Sequence, residues 1–244
     1  MKKETILLYS ILRNRVNKVQ QFYDQVKMIV ESFTNYDFYI SIYENDSTDG
    51  TKEALQALDW SFAKDYSLIC ENIGTPYFGS VATEERVRIL ADARNKAIEA
   101  KDFLANSDYV LMIEGDMRFD YDCANKVLNF KNLYDVGNVD IVSASSWSDP
   151  NFSHWDTWGT RRNPTEDWGG LHPNWRDTEY DRYYATCNAF CLFKAEPFKQ
   201  GARYGWFNER FNKFDCDTIV ICEEFHKLGY HDVFVHHRAN CWHF

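Results

Sequence analysis

Apolar runs of strand length alternate along this chain with longer stretches whose apolar residues recur every three or four positions, and few folds accept that order of elements. Thr5 to Ile11 is the first run; Val19, Phe22, Tyr23, Val26, Ile29, Val30 and Phe33 follow at helical spacing. Phe38 to Tyr43 predicts a second strand, closed by the turn and capping cluster from Glu44 to Thr51 and by a helix through Leu58. A weaker strand near Ser67 to Cys70 precedes a helix from about Thr83 to Ala100. Tyr109 to Ile113 is apolar without interruption, as suits a parallel strand covered on both faces. A helix from about Asp122 to Leu133 and a strand at Asp140 to Ser145 come next. After an irregular stretch the rhythm resumes with Asn188 to Phe193, a helix from about Asp217 to Leu228 and a strand at Asp232 to His236. The expected fold is α/β, a doubly wound, mainly parallel sheet flanked by helices, in a single domain over residues 1–244. In such sheets ligands bind beyond the carboxyl ends of the strands, which is where chemistry should be sought.

The irregular stretch, Trp147 to Asp177, holds five of the eight tryptophans among prolines, glycines and charges. A loop this long within a compact domain is usually functional or disordered, and its tryptophan content argues against disorder. Aromatic residues make up 17% of the chain, yet mean hydropathy is −0.53, so rings are expected on polar surfaces as well as in the core. With 27 Lys and Arg against 37 Asp and Glu, the net charge of −10 excludes general capture of nucleic acid or an anionic membrane. Any anion must be held by a local site. The seven cysteines include no CxxC pair, and reduced thiols in a cytoplasmic protein are expected. The apolar run before Arg13 is too short for a signal or a membrane span, which predicts a soluble chain.

Four constellations stand at or near strand ends. Glu114-Gly115-Asp116 directly follows Tyr109 to Ile113, and two carboxylates there can share a hard divalent cation that keeps positions open for phosphate oxygens; a solvated acidic turn has the same sequence. Glu44 or Asp46, at the second strand's end, can accept hydrogen bonds from a nucleoside, while Asp49 suits a helix cap. Arg94 falls within the apolar stripe of Val87, Leu90, Ala91, Ala97 and Ile98, so it needs an anion beside it, either a protein carboxylate or a bound diphosphate. Asp217 and Glu224 lie two helical turns apart on one mostly apolar face, as an acid or base could, although Asp217 is also placed to cap its helix.

Together these residues resemble nucleotide-sugar glycosyltransferases of the GT-A fold. Within that class, Ser10 to Arg15 (SILRNR), Tyr43 to Thr51 (YENDSTDGT), Arg86 to Ala97 (RxxxLADARNKA), Trp155 to Arg162 (WDTWGTRR) and the spaced Asp217, Cys222, Glu224, Phe225 and Gly229 look like the cryptococcal capsular α-1,3-mannosyltransferase family. The resemblance covers nearly the whole chain in order. It implies transfer of mannose from GDP-mannose, or more generally of a hexose from a GDP- or UDP-linked donor, to a hydroxyl of a glycan acceptor. It implies Mn²⁺ or Mg²⁺ held by Glu114, Asp116 and His243, the last lying fourteen residues beyond Gly229. Arg13, Glu44, Asp46, Asp92 and Arg94 would bind the donor, and Trp155, Trp158 and Arg161 would form an acceptor platform or lid, unless the tryptophan-rich stretch is only a hydrophobic cover over one sheet edge. If the reaction inverts the anomeric centre, Asp217 is the expected base and Glu224 the second choice; if it retains, neither is needed. In the family those two positions hold Glu and Asp, respectively. A non-catalytic carbohydrate-binding protein on the same fold is one rival reading. A sugar nucleotidyltransferase is the other, but no Gly-rich phosphate loop with a following Lys stands near the N-terminus.

Overall fold

The computed structural model describes residues 3–148 and 153–243, so positions 149–152 of the tryptophan-rich stretch lie outside the described residues. Its elements run β1 (Glu4–Leu12), α1 (Val16–Ser32), β2 (Tyr36–Asn45), α2 (Thr51–Gln56), β3 (Asp65–Glu71), α3 (Glu84–Ile98), β4 (Tyr109–Ile113), β5 (Met117–Arg118), α4 (Tyr121–Leu128) and α5 (Phe130–Leu133). They continue with β6 (Ile141–Ser148), β7 (Ser153–His154), β8 (Thr160–Arg161), β9 (Tyr180–Tyr183), β10 (Ala185–Thr186), β11 (Phe190–Lys194), α6 (Glu196–Lys199), β12 (Phe207–Asn208), β13 (Lys213–Phe214), α7 (Asp217–Lys227) and β14 (Val233–His243).

One sheet carries the molecule, in the order β3-β2-β1-β4-β11-β6-β14-β5, with β7 on β6 and β9 on β14. Strand alternation divides its apolar side chains between two cores. Ile6, Leu8, Ile40, Ile42, Leu111 and Ile113 pack with Phe22, Val26 and Ile29 of α1 and with Val127 of α4. Leu7, Tyr9, Val110 and Met112 face the other way, onto Ala91 and Ala97 of α3 and Ile221 and Phe225 of α7. Both faces are therefore covered, as the uninterrupted apolar run of β4 requires.

Three departures from the sequence expectation have physical causes. The expected helix from Asp122 to Leu133 breaks at Asn129, whose side chain donates to Asn125 Oδ1 at 2.8 Å. β11 runs antiparallel between β4 and β6, because the described residues between β6 and β11 supply no crossover helix to turn it parallel. The last strand does not stop at His236. A register shift between His236 and Asn240 carries β14 on along β6 as far as His243. Apolar periodicity could not show this, since His236 and His237 are fully buried polar residues with partners: Tyr134 Oη stands 2.9 Å from His236 Nε2, and Asp181 Oδ2 2.9 Å from His237 Nε2. All seven cysteines are free thiols, five of them buried. Among the described residues no helix is long and apolar enough to cross a membrane.

Candidate functional site

Beyond the carboxyl ends of β1, β2 and β4 lies a cleft of about 190 Å³. Arg13 and Arg15 reach it from the end of β1, Asn45 from β2, Arg86 from the first turn of α3, and Glu114 and Asp116 from the turn after β4, with Tyr77 and Phe78 on the loop between β3 and α3. Glycine separates the two carboxylates for a steric reason: a Cβ at Gly115 would meet Leu12 Cγ at 2.5 Å.

Arg94 organises the floor. Its Nη2 donates to Glu114 Oε1 at 2.5 Å and its Nε to Asp217 Oδ2 at 2.6 Å, with the Arg94 and Asp217 side chains only 6% and 4% exposed. Burial works against the charge, but Glu114 and Asp217 hold the guanidinium well above its ordinary pKa. Of the two anions that the sequence allowed for Arg94, the protein supplies its own. Asp217 is thus turned inward. Glu224, two turns further along α7, pairs with Lys227 at 2.7 Å and borders a separate shallow depression with Arg203, Trp206 and Phe207. The two carboxylates share a helix face but not a site.

Asp116 stands freer. Arg15 Nη2 donates to its Oδ2 at 2.9 Å, while its Oδ1 lies 3.7 Å from His243 Nδ1, too far for a hydrogen bond. The other ring nitrogen, His243 Nε2, is buried without a hydrogen-bond partner, 4.0 Å from Asp156 Oδ2. Ser146 donates its hydroxyl to that same Asp156 oxygen, and burial pushes the Asp156 carboxyl above its usual pKa against the pull of His243 and Ser146. Three elements distant in sequence, the β4 turn, the end of β14 and the tryptophan-rich stretch, therefore meet around one imidazole.

The expected nucleoside contacts are used internally. Glu44 is 1% exposed and accepts from Ser47 N at 2.9 Å. Asp46, at φ +55°, accepts from Ile73 N and Gly74 N through one oxygen and from Thr75 through the other. Although burial opposes it, hydrogen bonds from Thr75, Gly74 and Asn45 hold the Asp46 carboxyl far below the usual range. Arg13 donates to Thr75 O at 2.6 Å and to Pro76 O at 3.0 Å. Asp46 and Arg13 thus shape the loop that presents Tyr77 and Phe78. Asp92 lies on the outer side of α3, beside a second depression with Lys96 and Glu99.

Within the tryptophan-rich stretch, Trp155 is 45% exposed and its ring lies 4.8 Å from that of His243. Trp158 stacks on Trp168 at 5.8 Å. Arg161, expected on an acceptor surface, is instead 1% exposed and paired with equally buried Asp215 at 3.1 Å, which fixes the stretch from within. Sequence reasoning passed over Arg15, Arg86, Tyr77 and Asp156. Arg15 and Arg86 lie inside quoted motifs, and Asp156 follows Trp155 directly, so position within a motif was the available signal.

A sequence model of the family described as "Cryptococcal mannosyltransferase 1" matches residues 5–204. Among solved structures, a mannosyltransferase from Pyrobaculum calidifontis, PcManGT, in complex with GDP-Man and Mn2+, superposes with a TM-score of 0.53 at 14% identity, covering 99% of this chain and 57% of that one. S. aureus TarS 1-349 gives 0.56 at 9% identity, covering 98% of this chain and 60% of that one. The same protein with UDP-GlcNAc gives 0.56 and 9%, covering 98% and 58%. This chain therefore spans somewhat under two thirds of the length of the solved chains it matches. A search of curated proteins found no match. The chain belongs to the cryptococcal mannosyltransferase family and carries the GT-A glycosyltransferase fold.

Proposed function

From that membership we propose that the protein transfers a hexose, mannose by family, from a nucleotide-diphosphate sugar to a hydroxyl of a glycan acceptor, with Mn²⁺ or Mg²⁺ at the donor diphosphate. The observation that carries this reading is the placement of Arg15, Arg86 and Asp116 around one cleft at the carboxyl end of the sheet. Arginines suit the charge and shape of a diphosphate. Tyr77 and Phe78 offer rings to a base, and the exposed faces of Trp155 and Trp168 suit an acceptor sugar.

The residues present fit a divalent cation that is completed by the donor. Among the described residues no three His, Cys, Asp or Glu side chains form a ready cage. Mg²⁺ is usually held by one or two carboxylates together with substrate phosphates, not by a cage made wholly of protein. Asp116 Oδ1 and His243 Nδ1, which face each other at 3.7 Å, are the side-chain atoms that would hold it beside the donor phosphates. When bound, the cation neutralises charge on the leaving diphosphate. Glu114 lines the same cleft and, through Oε1, keeps the Arg94 guanidinium in place.

Transfer breaks the bond from the anomeric carbon to the donor phosphate oxygen and forms one to the acceptor oxygen, and the hydroxyl proton must go elsewhere. The clamp on Asp217 and the position of Glu224 outside the cleft support a reading in which neither takes it and the departing diphosphate does. That corresponds to retention, as an α-mannosyl product from GDP-α-mannose requires. Seven free thiols support work in a reducing compartment such as the cytoplasm.

The test is thermal shift and donor hydrolysis across GDP- and UDP-sugars with and without Mn²⁺. Stabilisation by one donor class in metal is expected, and Asp116→Asn should lower hydrolysis by roughly a hundredfold or more, the scale of losing a charge-stabilising group. No response to any donor would refute the transferase reading, and undiminished hydrolysis by Asp116→Asn would refute its metal.

A further inference from the structure

We propose that Asp156 is the positioning residue for His243. In this role it accepts a hydrogen bond from Nε2–H, so that Nδ1 is presented, unprotonated, toward Asp116 and the divalent cation. The inference rests on the metal assignment made above and goes beyond it.

An imidazole that ligates a metal through one nitrogen carries its proton on the other, and that N–H is almost always given to a carboxylate, a carbonyl or water, which fixes both tautomer and ring angle. His243 shows the two sides of this arrangement. Nδ1 faces Asp116 Oδ1 at 3.7 Å, whereas Nε2 is buried with no hydrogen-bond partner and has the Asp156 carboxylate 4.0 Å away. A shift of about 1 Å would bring Nε2 and Oδ2 to hydrogen-bond distance. Asp156 is itself fixed to the sheet. Ser146 of β6 donates to its carboxylate, Trp155 N donates to Ser146 O at 3.0 Å, and Thr160 Oγ1 donates to Asp156 O at 2.8 Å. The Trp155 ring lies tilted by 35° over the imidazole and limits its rotation. The tryptophan-rich stretch thus carries, side by side, the carboxylate that aims His243 and the ring that confines it.

The experiment is Mn²⁺ binding to the whole protein in the presence of GDP or UDP, read from loss of the free-ion electron paramagnetic resonance signal. Asp156→Ala is expected to weaken Mn²⁺ binding 10–100-fold, the range for an outer carboxylate. Asp156→Asn, which keeps an acceptor oxygen, should restore most of the loss. The pair His243→Ala with Asp156→Ala should bind no more weakly than His243→Ala alone, because Asp156 acts through that ring. Asp156→Leu, close in size to Asp, takes the place of Asp156→Ala if circular dichroism shows that the alanine variant does not fold. Wild-type Mn²⁺ affinity in Asp156→Ala or Asp156→Leu, or losses that add in the double variant, would overturn this inference and leave the metal assignment standing. Failure of the wild-type protein to bind Mn²⁺ with either nucleotide would overturn both.

Discussion

The stretch from β1 to β4 builds one half of the sheet, the excursion between β6 and β11 adds strands to the other half, and the two are held by opposite means. In the first, apolar side chains alternate between two cores and helices cover both faces. In the second, Thr160, Arg161, Thr186 and Asn188 are all at most 1% exposed. Hydrogen bonds across the excursion, such as Thr160 Oγ1 to Asn188 Oδ1 at 2.9 Å, and the Arg161–Asp215 pair engage most of their polar atoms, while Arg161 Nε and Thr186 Oγ1 are buried without a partner. The contrast teaches that a region can be ordered without an apolar period when most of its buried polar groups have partners. Its stability then depends on single contacts.

The largest test of that difference is Arg161→Met. Leaving Asp215 buried without its partner should cost about 3–5 kcal/mol in urea unfolding. The double change Arg161→Met with Asp215→Leu should recover much of that, and a single-variant loss below about 1 kcal/mol would erase the distinction.

Acid should separate the regions next. All seven histidines lie at or after position 154. Burial, with the charge of His237, pushes His154 down to about 4, and burial, with Lys126, does the same to His236. His236 Nδ1 accepts from Arg238 N at 3.1 Å, so a proton there costs a hydrogen bond. Because the unfolded chain binds these protons near pH 6.5 and the folded one does not, the stabilisation is complete above pH 6.5. It is lost as pH falls from there toward 4, by on the order of 1–3 kcal/mol per histidine. Asp156 and Asp215, pushed up chiefly by burial, work in the opposite sense, so His236→Gln is the cleaner comparison. Hydrogen exchange at pH 5 should show opening around β9 and β14 before β1 and β2, and the reverse order would contradict the assignment.

A smaller effect is expected at Gly169, where a Cβ would stand 2.1 Å from Thr160 O. Gly169→Ala should cost about 1–3 kcal/mol by forcing the backbone apart, measurable as a lower melting temperature. At the other extreme, Lys101→Ala breaks an exposed pair with Asp65 beside the regular stretch, and should change stability by about 1 kcal/mol or less.

What was legible follows the same division. The four strands from β1 to β4 and helices α1 and α3 could be read because burial repeats along the chain with a fixed period. The Glu114-Gly-Asp116 turn could be located because it follows such a strand. Arg161 was misplaced because a motif arginine among tryptophans resembles a surface residue, and its partner Asp215 lies far along the chain. Asp46 and Glu44 kept the expected address, but Asp46 spends both oxygens on the loop at Ile73 to Thr75, and Glu44 gives Oε1 to Ser47 N while its Oε2 is buried without a partner. Position after a strand identifies candidates, but only tertiary contacts show whether a polar atom is still free.

The antiparallel run of β11 bears on how such a site could be altered. Cys191 lies opposite Ser143, and Asn188 N donates to Ser143 Oγ at 2.8 Å, so the excursion leaves one interior strand and returns on the strand beside it. A segment with adjoining ends is a natural graft. It could be exchanged for one of different length and chemistry while the strands that carry Arg15 and Asp116 keep their register, and acceptor choice could then diverge without rebuilding the donor side. Such a cassette would have to reproduce the carboxylate at position 156 and the arginine that pairs with buried Asp215.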